Sequence, residues 1–102
     1  MTDAEFLQAV KHSVHEIDPE AEVWLFGSRA RGDARPDSDW DFLVLTEMPV
    51  DRTFKRQLRD NLFDVGLAGE RVIGTIIQNK GEWVEQEITD LYQNIKEDGI
   101  TV

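Results

Sequence analysis

The chain has 102 residues and a formal charge of −10, with 21 acidic residues against 11 basic ones and no cysteine. That length carries a single domain over residues 1–102 and no second core. The missing thiols exclude disulfides and thiolate metal sites, and the surplus negative charge, which repels phosphate backbones, excludes a general nucleic-acid binder.

No apolar run approaches the roughly 20 residues that a membrane helix needs. The acidic start, Met1-Thr2-Asp3-Ala4-Glu5, is unlike a signal peptide, so the expectation is a soluble, cytoplasmic protein without a membrane partner. Thr2 reads as an N-cap with Glu5 completing a capping box. Phe6, Leu7, Val10, Val14 and Ile17 then recur at helical spacing, predicting a helix over 3–17 that Asp18-Pro19 ends. His12 and His15 fall on or near its polar side and read as surface residues. Glu22 to Phe26 is a short β-branched and aromatic run stopping at Gly27, a strand signature. The next residues, Arg29 to Gly32, suit one helical turn. Asp33 to Ser38, with Pro36 inside, is turn chemistry, and a second strand is predicted over Trp40 to Leu45.

From Asp51, a candidate cap, the spacing of Phe54, Leu58 and Leu62 predicts another helix. Phe63 to Ala68 and Arg71 to Gln78 read as two strands joined at Gly69-Glu70, a hairpin pattern. Helical spacing returns over 81–97 through Trp83, Val84, Ile88, Leu91, Tyr92 and Ile95, and Ile100 to Val102 suits a terminal strand. Trp83, Ile88 and Leu91 fit either core or a partner surface, with core favoured. The sum is an α+β domain with a mixed or antiparallel sheet and helices packed mainly on one face.

Two short patterns carry chemistry. A glycine directly after a strand lets a phosphate approach the backbone without meeting a Cβ, and Ser28 beside Gly27 offers a hydroxyl. Arg29, Arg31 and Arg35 are at hand to neutralise phosphate charge; no Walker-type lysine follows, so this is not a P-loop. Asp39 and Asp41, at i and i+2 of an extended segment, share one face roughly 6 to 7 Å apart. Like charges heading into a core are costly, and a hard divalent ion such as Mg2+ relieves both problems. Ten residues separate Ser28 from Asp39, room for the chain to leave one strand and return on its neighbour.

In combination, Gly27-Ser28-Arg29-Ala30-Arg31-Gly32 followed by Ser38-Asp39-Trp40-Asp41-Phe42-Leu43-Val44 resembles the signature of the minimal nucleotidyltransferases, within the DNA polymerase beta-like superfamily. The resemblance implies that fold. It also implies that Gly27 and Ser28, supported by Arg29, contact the triphosphate of ATP, while Asp39 and Asp41 hold two Mg2+ ions that clamp an in-line displacement. The family's third acid, a metal ligand or general base on a nearby strand, is best matched by Asp64 in Phe63-Asp64-Val65, with Glu70 the lesser candidate.

Stand-alone proteins of this type resemble antitoxins paired with an all-helical HEPN ribonuclease. That likeness implies Mg2+-dependent transfer of AMP from ATP to a tyrosine hydroxyl of the HEPN partner, with pyrophosphate released. Two rival readings are a non-catalytic binding module that neutralises its partner by contact and, last, transfer to a small molecule.

Overall fold

The computed structural model describes residues 1–102. Helix α1 spans Asp3–Ile17 behind the expected capping box, in which the Thr2 hydroxyl accepts from the Glu5 N–H and the Glu5 carboxylate accepts from the Thr2 N–H. Both groups satisfy backbone donors that a helix start leaves without partners. Strand β1 (Glu22–Phe26) follows, then the single turn α2 (Ser28–Arg31) and strand β2 (Trp40–Thr46). Asp51 caps helix α3 by accepting from the Phe54 N–H at 2.8 Å.

From here the chain departs from the expected hairpin. Helix α3 runs without interruption from Arg52 to Gly69, so Phe63 to Ala68 is helix rather than strand. Gly66, inside the expected strand, and Gly69, at the expected turn, are helical close-approach points. A Cβ on Gly66 would lie 2.8 Å from the Arg71 carbonyl, and one on Gly69 would lie 3.0 Å from the Phe6 ring. Glu70 then leaves the helix in the left-handed region, at φ 54°.

Strand β3 (Ile73–Asn79) pairs parallel to β2, with Asp41 opposite Gly74. A parallel neighbour needs a long crossover, and α3 supplies it. The expected last helix divides into α4 (Lys80–Val84) and α5 (Asp90–Asp98), each with its own cap, Asn79 and Thr89. Strand β4 (Ile100–Thr101) closes the chain antiparallel to β1. The sheet order is β3-β2-β1-β4, a mixed sheet of four strands, and the expected α+β class holds.

Strand alternation sorts the core into two layers. Phe6, Val10 and Val14 of α1 and Phe54, Leu58 and Leu62 of α3 bury against Val23, Leu25, Trp40, Phe42 and Val44. Each such side chain contributes about 1.5–3 kcal/mol of apolar burial. The opposite face carries a smaller cluster in which Trp83 and Ile95 cover Leu43 and Leu45. The two long helices thus share one face, and the two short ones cover part of the other. Trp83 is core, whereas Ile88 is 94% exposed. No helix is long and apolar enough to cross a membrane.

Candidate functional site

Beyond Phe26 the backbone turns at Gly27 with φ 75° and ψ −158°, a conformation that suits only glycine. Its carbonyl accepts from the Ala30 and Arg31 N–H groups, which winds Ser28 into the first position of α2. Helical starts leave N–H groups pointing outward for an anion. Gly32, at φ 83°, ends the turn, and the chain loops back to β2.

Asp41 stands opposite Phe26 at the end of β1 and opposite Gly74 near the start of β3. Alternation puts it on the face that Leu43 and Leu45 share with α4 and α5, while Trp40 and Phe42 point to the α1–α3 core. Its carboxylate fits between two glycines. A Cβ on Gly27 would lie 2.6 Å from Oδ2, and one on Gly74 would lie 2.8 Å from Oδ1. Partial burial raises the Asp41 pKa, the neighbouring charge of Asp39 raises it further, and Arg31 opposes both. Asp39 itself is exposed.

Gly27, Ser28, Asp39 and Asp41 therefore meet at one end of the sheet. Arg29 does not join them. Its guanidinium lies 4.7 Å from the centre of the Trp40 ring, on the side away from Asp41, and donates to the carbonyls of Pro36 and Ser38 at 3.2 and 3.0 Å. It holds the loop that delivers Asp39. Arg31 is the cation that Asp41 senses. The clue was available in sequence, because residues two apart on a helical turn point roughly 200° from one another.

Asp64, the expected third acid, needs a correction too. Because α3 continues through it, Asp64 lines a shallow groove with Ala9, His12 and Ser13 of α1, across the sheet from Asp41. Glu70 caps α3 beside Met1, Arg29 and Arg71, on the Trp40 side. The strand position that flanks Asp41 is Gly74, and no third His, Cys, Asp or Glu completes a ligand group.

The donor set nevertheless suits one hard divalent ion such as Mg2+. Two mutually repelling carboxylates, one pinned between glycines with its oxygens presented, offer the few protein ligands that such an ion takes alongside waters and phosphates. A second ion would draw its remaining ligands from outside this chain.

The nucleotidyltransferase domain family matches residues 7–100. This chain belongs to that family. Over 57 residues it is 35% identical to the probable protein adenylyltransferase MntA of Haemophilus influenzae, a stretch covering 56% of this chain and 50% of that protein. The chain thus spans half the length of the curated relative it matches. Among solved structures, a toxin–antitoxin complex with AMP-PNP superposes with a TM-score of 0.67 at 19% identity, over 98% of this chain and 72% of the other.

The tri-AMPylated Shewanella oneidensis HEPN toxin in complex with its MNT antitoxin gives 0.65 at 16% identity, over 98% and 71%. A nucleotidyltransferase-like protein of Sulfolobus solfataricus gives 0.58 at 21%, over 96% and 79%. At these identities the likenesses show the nucleotidyltransferase fold.

Proposed function

We propose that this nucleotidyltransferase domain transfers AMP from ATP, with Mg2+, to a tyrosine hydroxyl of a HEPN-domain partner and releases pyrophosphate. The observation that carries the reading is the Asp41 carboxylate held between Gly27 and Gly74, beside Asp39 and facing the Ser28 turn. The likeness to MntA and to toxin–antitoxin complexes supports the acceptor class.

In this scheme the Gly27-Ser28 turn receives the phosphates through backbone N–H groups and the Ser28 hydroxyl. Arg31 offsets their charge, and Arg29 keeps the loop after α2 in place so that Asp39 stays beside Asp41. Bound to these two carboxylates, Mg2+ would supply charge neutralisation at the phosphates. The acceptor oxygen forms a bond to the α-phosphorus as the bond from that phosphorus to the α,β-bridging oxygen breaks. Pyrophosphate leaves, and the hydroxyl proton passes to solvent.

Calorimetry of ATP binding with and without Mg2+, on the wild type and on Asp39→Asn/Asp41→Asn, tests the site. Labelled-AMP transfer to the HEPN protein tests the reaction. Metal-dependent binding and transfer, both lost in the double variant, are expected; transfer that survives in it sinks the proposal.

A second reading is favoured by one finding, the placement of Asp64 across the sheet. A two-carboxylate site suits a module that binds nucleotide and neutralises its partner by contact. Neutralisation that persists in the double variant, with no AMP incorporated, would select that reading.

A further inference from the structure

One surface lies outside the site just described. Arg52, Arg56, Arg59, Phe63 and Leu67 recur at helical spacing along one face of α3, a stripe roughly 22 Å long. Its first half is basic. Arg52, Lys55, Arg56 and Arg59 are four of the 11 basic residues in a chain of charge −10. None takes part in an ion pair, the pairs being His12–Glu16, Arg31–Asp33, Arg71–Asp3 and Lys80–Glu22. The second half is apolar. Phe63 and Leu67 are 65% and 63% exposed, and Val72 at the start of β3 is 66% exposed.

These halves are continuous. The apolar end forms a groove of about 330 Å³ between α3 and β3, and Arg59 joins it to a second groove among Asp51, Arg52, Lys55 and Arg56. Exposed apolar side chains gathered into a groove mark an interaction site more often than scattered ones do. Unpaired cations beside them select the sign of the partner's charge. A second copy of this chain, itself strongly acidic, is opposed by long-range repulsion, and nucleic acid leaves the apolar half without a role.

We propose that this stripe docks an amphipathic helix of the partner protein, apolar at one end and acidic along the rest, as the means by which the acceptor hydroxyl is brought to Asp39 and Asp41. The part concerning the acceptor rests on the function proposed above. Position supports it. Strand β3 is the edge of the sheet, and its residues alternate between the groove, at Ile73 and Thr75, and the candidate site, at Gly74. A partner seated against this edge reaches the flank of Asp41 by passing one strand.

The test uses the whole protein and a fluorescein-labelled helical peptide carrying Leu and Phe at one end and Glu along the same face, with a Lys-for-Glu peptide as comparison. Wild type should bind the acidic peptide at least about tenfold more tightly than the basic one. Arg56→Glu/Arg59→Glu and Phe63→Ser/Leu67→Ser should each weaken binding about tenfold or more, with Mg2+-dependent ATP binding unchanged.

No peptide binding, or binding indifferent to both variants, overturns the proposal. Tighter binding of oligouridylate that is lost in the charge variant overturns it in favour of nucleic acid. A wild-type dimer in light scattering that Phe63→Ser/Leu67→Ser converts to monomer overturns it in favour of a second copy. Failure of wild type to label the HEPN protein sinks the proposed function while the peptide result still stands. Full-rate labelling by both docking variants sinks the docking role while transfer stands.

Discussion

Gly74 and Asp41 face each other across β2 and β3 so closely that a methyl group on the first would stand 2.8 Å from Oδ1 of the second. Contacts below 3 Å between a carbon and an oxygen are repulsive, so one of the two must move. The carboxylate is the softer partner. Gly74→Ala is expected to leave the fold intact, since glycine in a strand brings no conformational advantage, and to weaken Mg2+-dependent ATP binding about tenfold. Calorimetry on the folded variant checks this. Gly27→Ala should be worse, because at φ 75° and ψ −158° a side chain adds backbone strain of about 1–3 kcal/mol to its 2.6 Å contact.

The raised pKa of Asp41 predicts an unusual pH dependence. Burial and the Asp39 charge both oppose its ionised form. In the unfolded chain the same carboxyl titrates in the ordinary range, so stability falls as pH rises from that range through the folded pKa, and the cost is fully present above that folded pKa. Asp41→Asn should therefore raise the melting temperature of the metal-free protein at pH 7, an advantage that shrinks on acidification. Added Mg2+ should raise the melting temperature of wild type alone, and this effect should fade as pH drops through the folded pKa of Asp41. Melting curves across pH, with and without Mg2+, check both signs.

Two arginines two residues apart should behave differently. Arg29 gives hydrogen bonds to the Pro36 and Ser38 carbonyls and covers Trp40, so Arg29→Ala should cost about 2 kcal/mol and loosen the approach to Asp39. Arg31 pairs only with exposed Asp33 at 3.3 Å. Its replacement by alanine should change stability by less than about 1 kcal/mol while weakening ATP binding. Urea denaturation together with calorimetry separates the two.

Asp64 and Glu70 serve as controls. Asp64 lies across the sheet from Asp41, beside α1, so Asp64→Asn should leave AMP transfer at the wild-type rate; a loss of transfer comparable to that of Asp41→Asn would overturn the placement of the site. Glu70 is strained at φ 54°, and Glu70→Gly should raise stability by up to about 1 kcal/mol with transfer unchanged.

What could be read early was local. The capping box at Thr2 and Glu5, the strand stopping at Gly27, the Asp51 cap and the second strand beginning at Trp40 all depend on neighbours a few residues apart, and all appear in the structure. The error over Phe63 to Ala68 has a physical cause. Phe63, Val65 and Leu67 alternate like a strand, with Gly66 among them and Gly69 just after. Their reason is packing: Gly66 admits the Arg71 carbonyl and Gly69 admits the Phe6 ring, contacts made with chain lying outside the segment.

The sequence by itself determined which residues can turn, cap or carry charge: the Gly27-Ser28 turn, the Asp39–Asp41 pair and the helix that begins behind Thr2. Tertiary structure alone decided which face each side chain occupies. Whether α3 stops at Leu62 or runs on to Gly69 separates Asp64 from Asp41 by the thickness of the sheet, and the parallel register of β3 sets Gly74, not an acid, beside Asp41. Local propensities act over a few residues, whereas register and burial are settled by contacts between segments far apart in the chain, so the neighbours of a carboxylate emerge only once the sheet has closed around it.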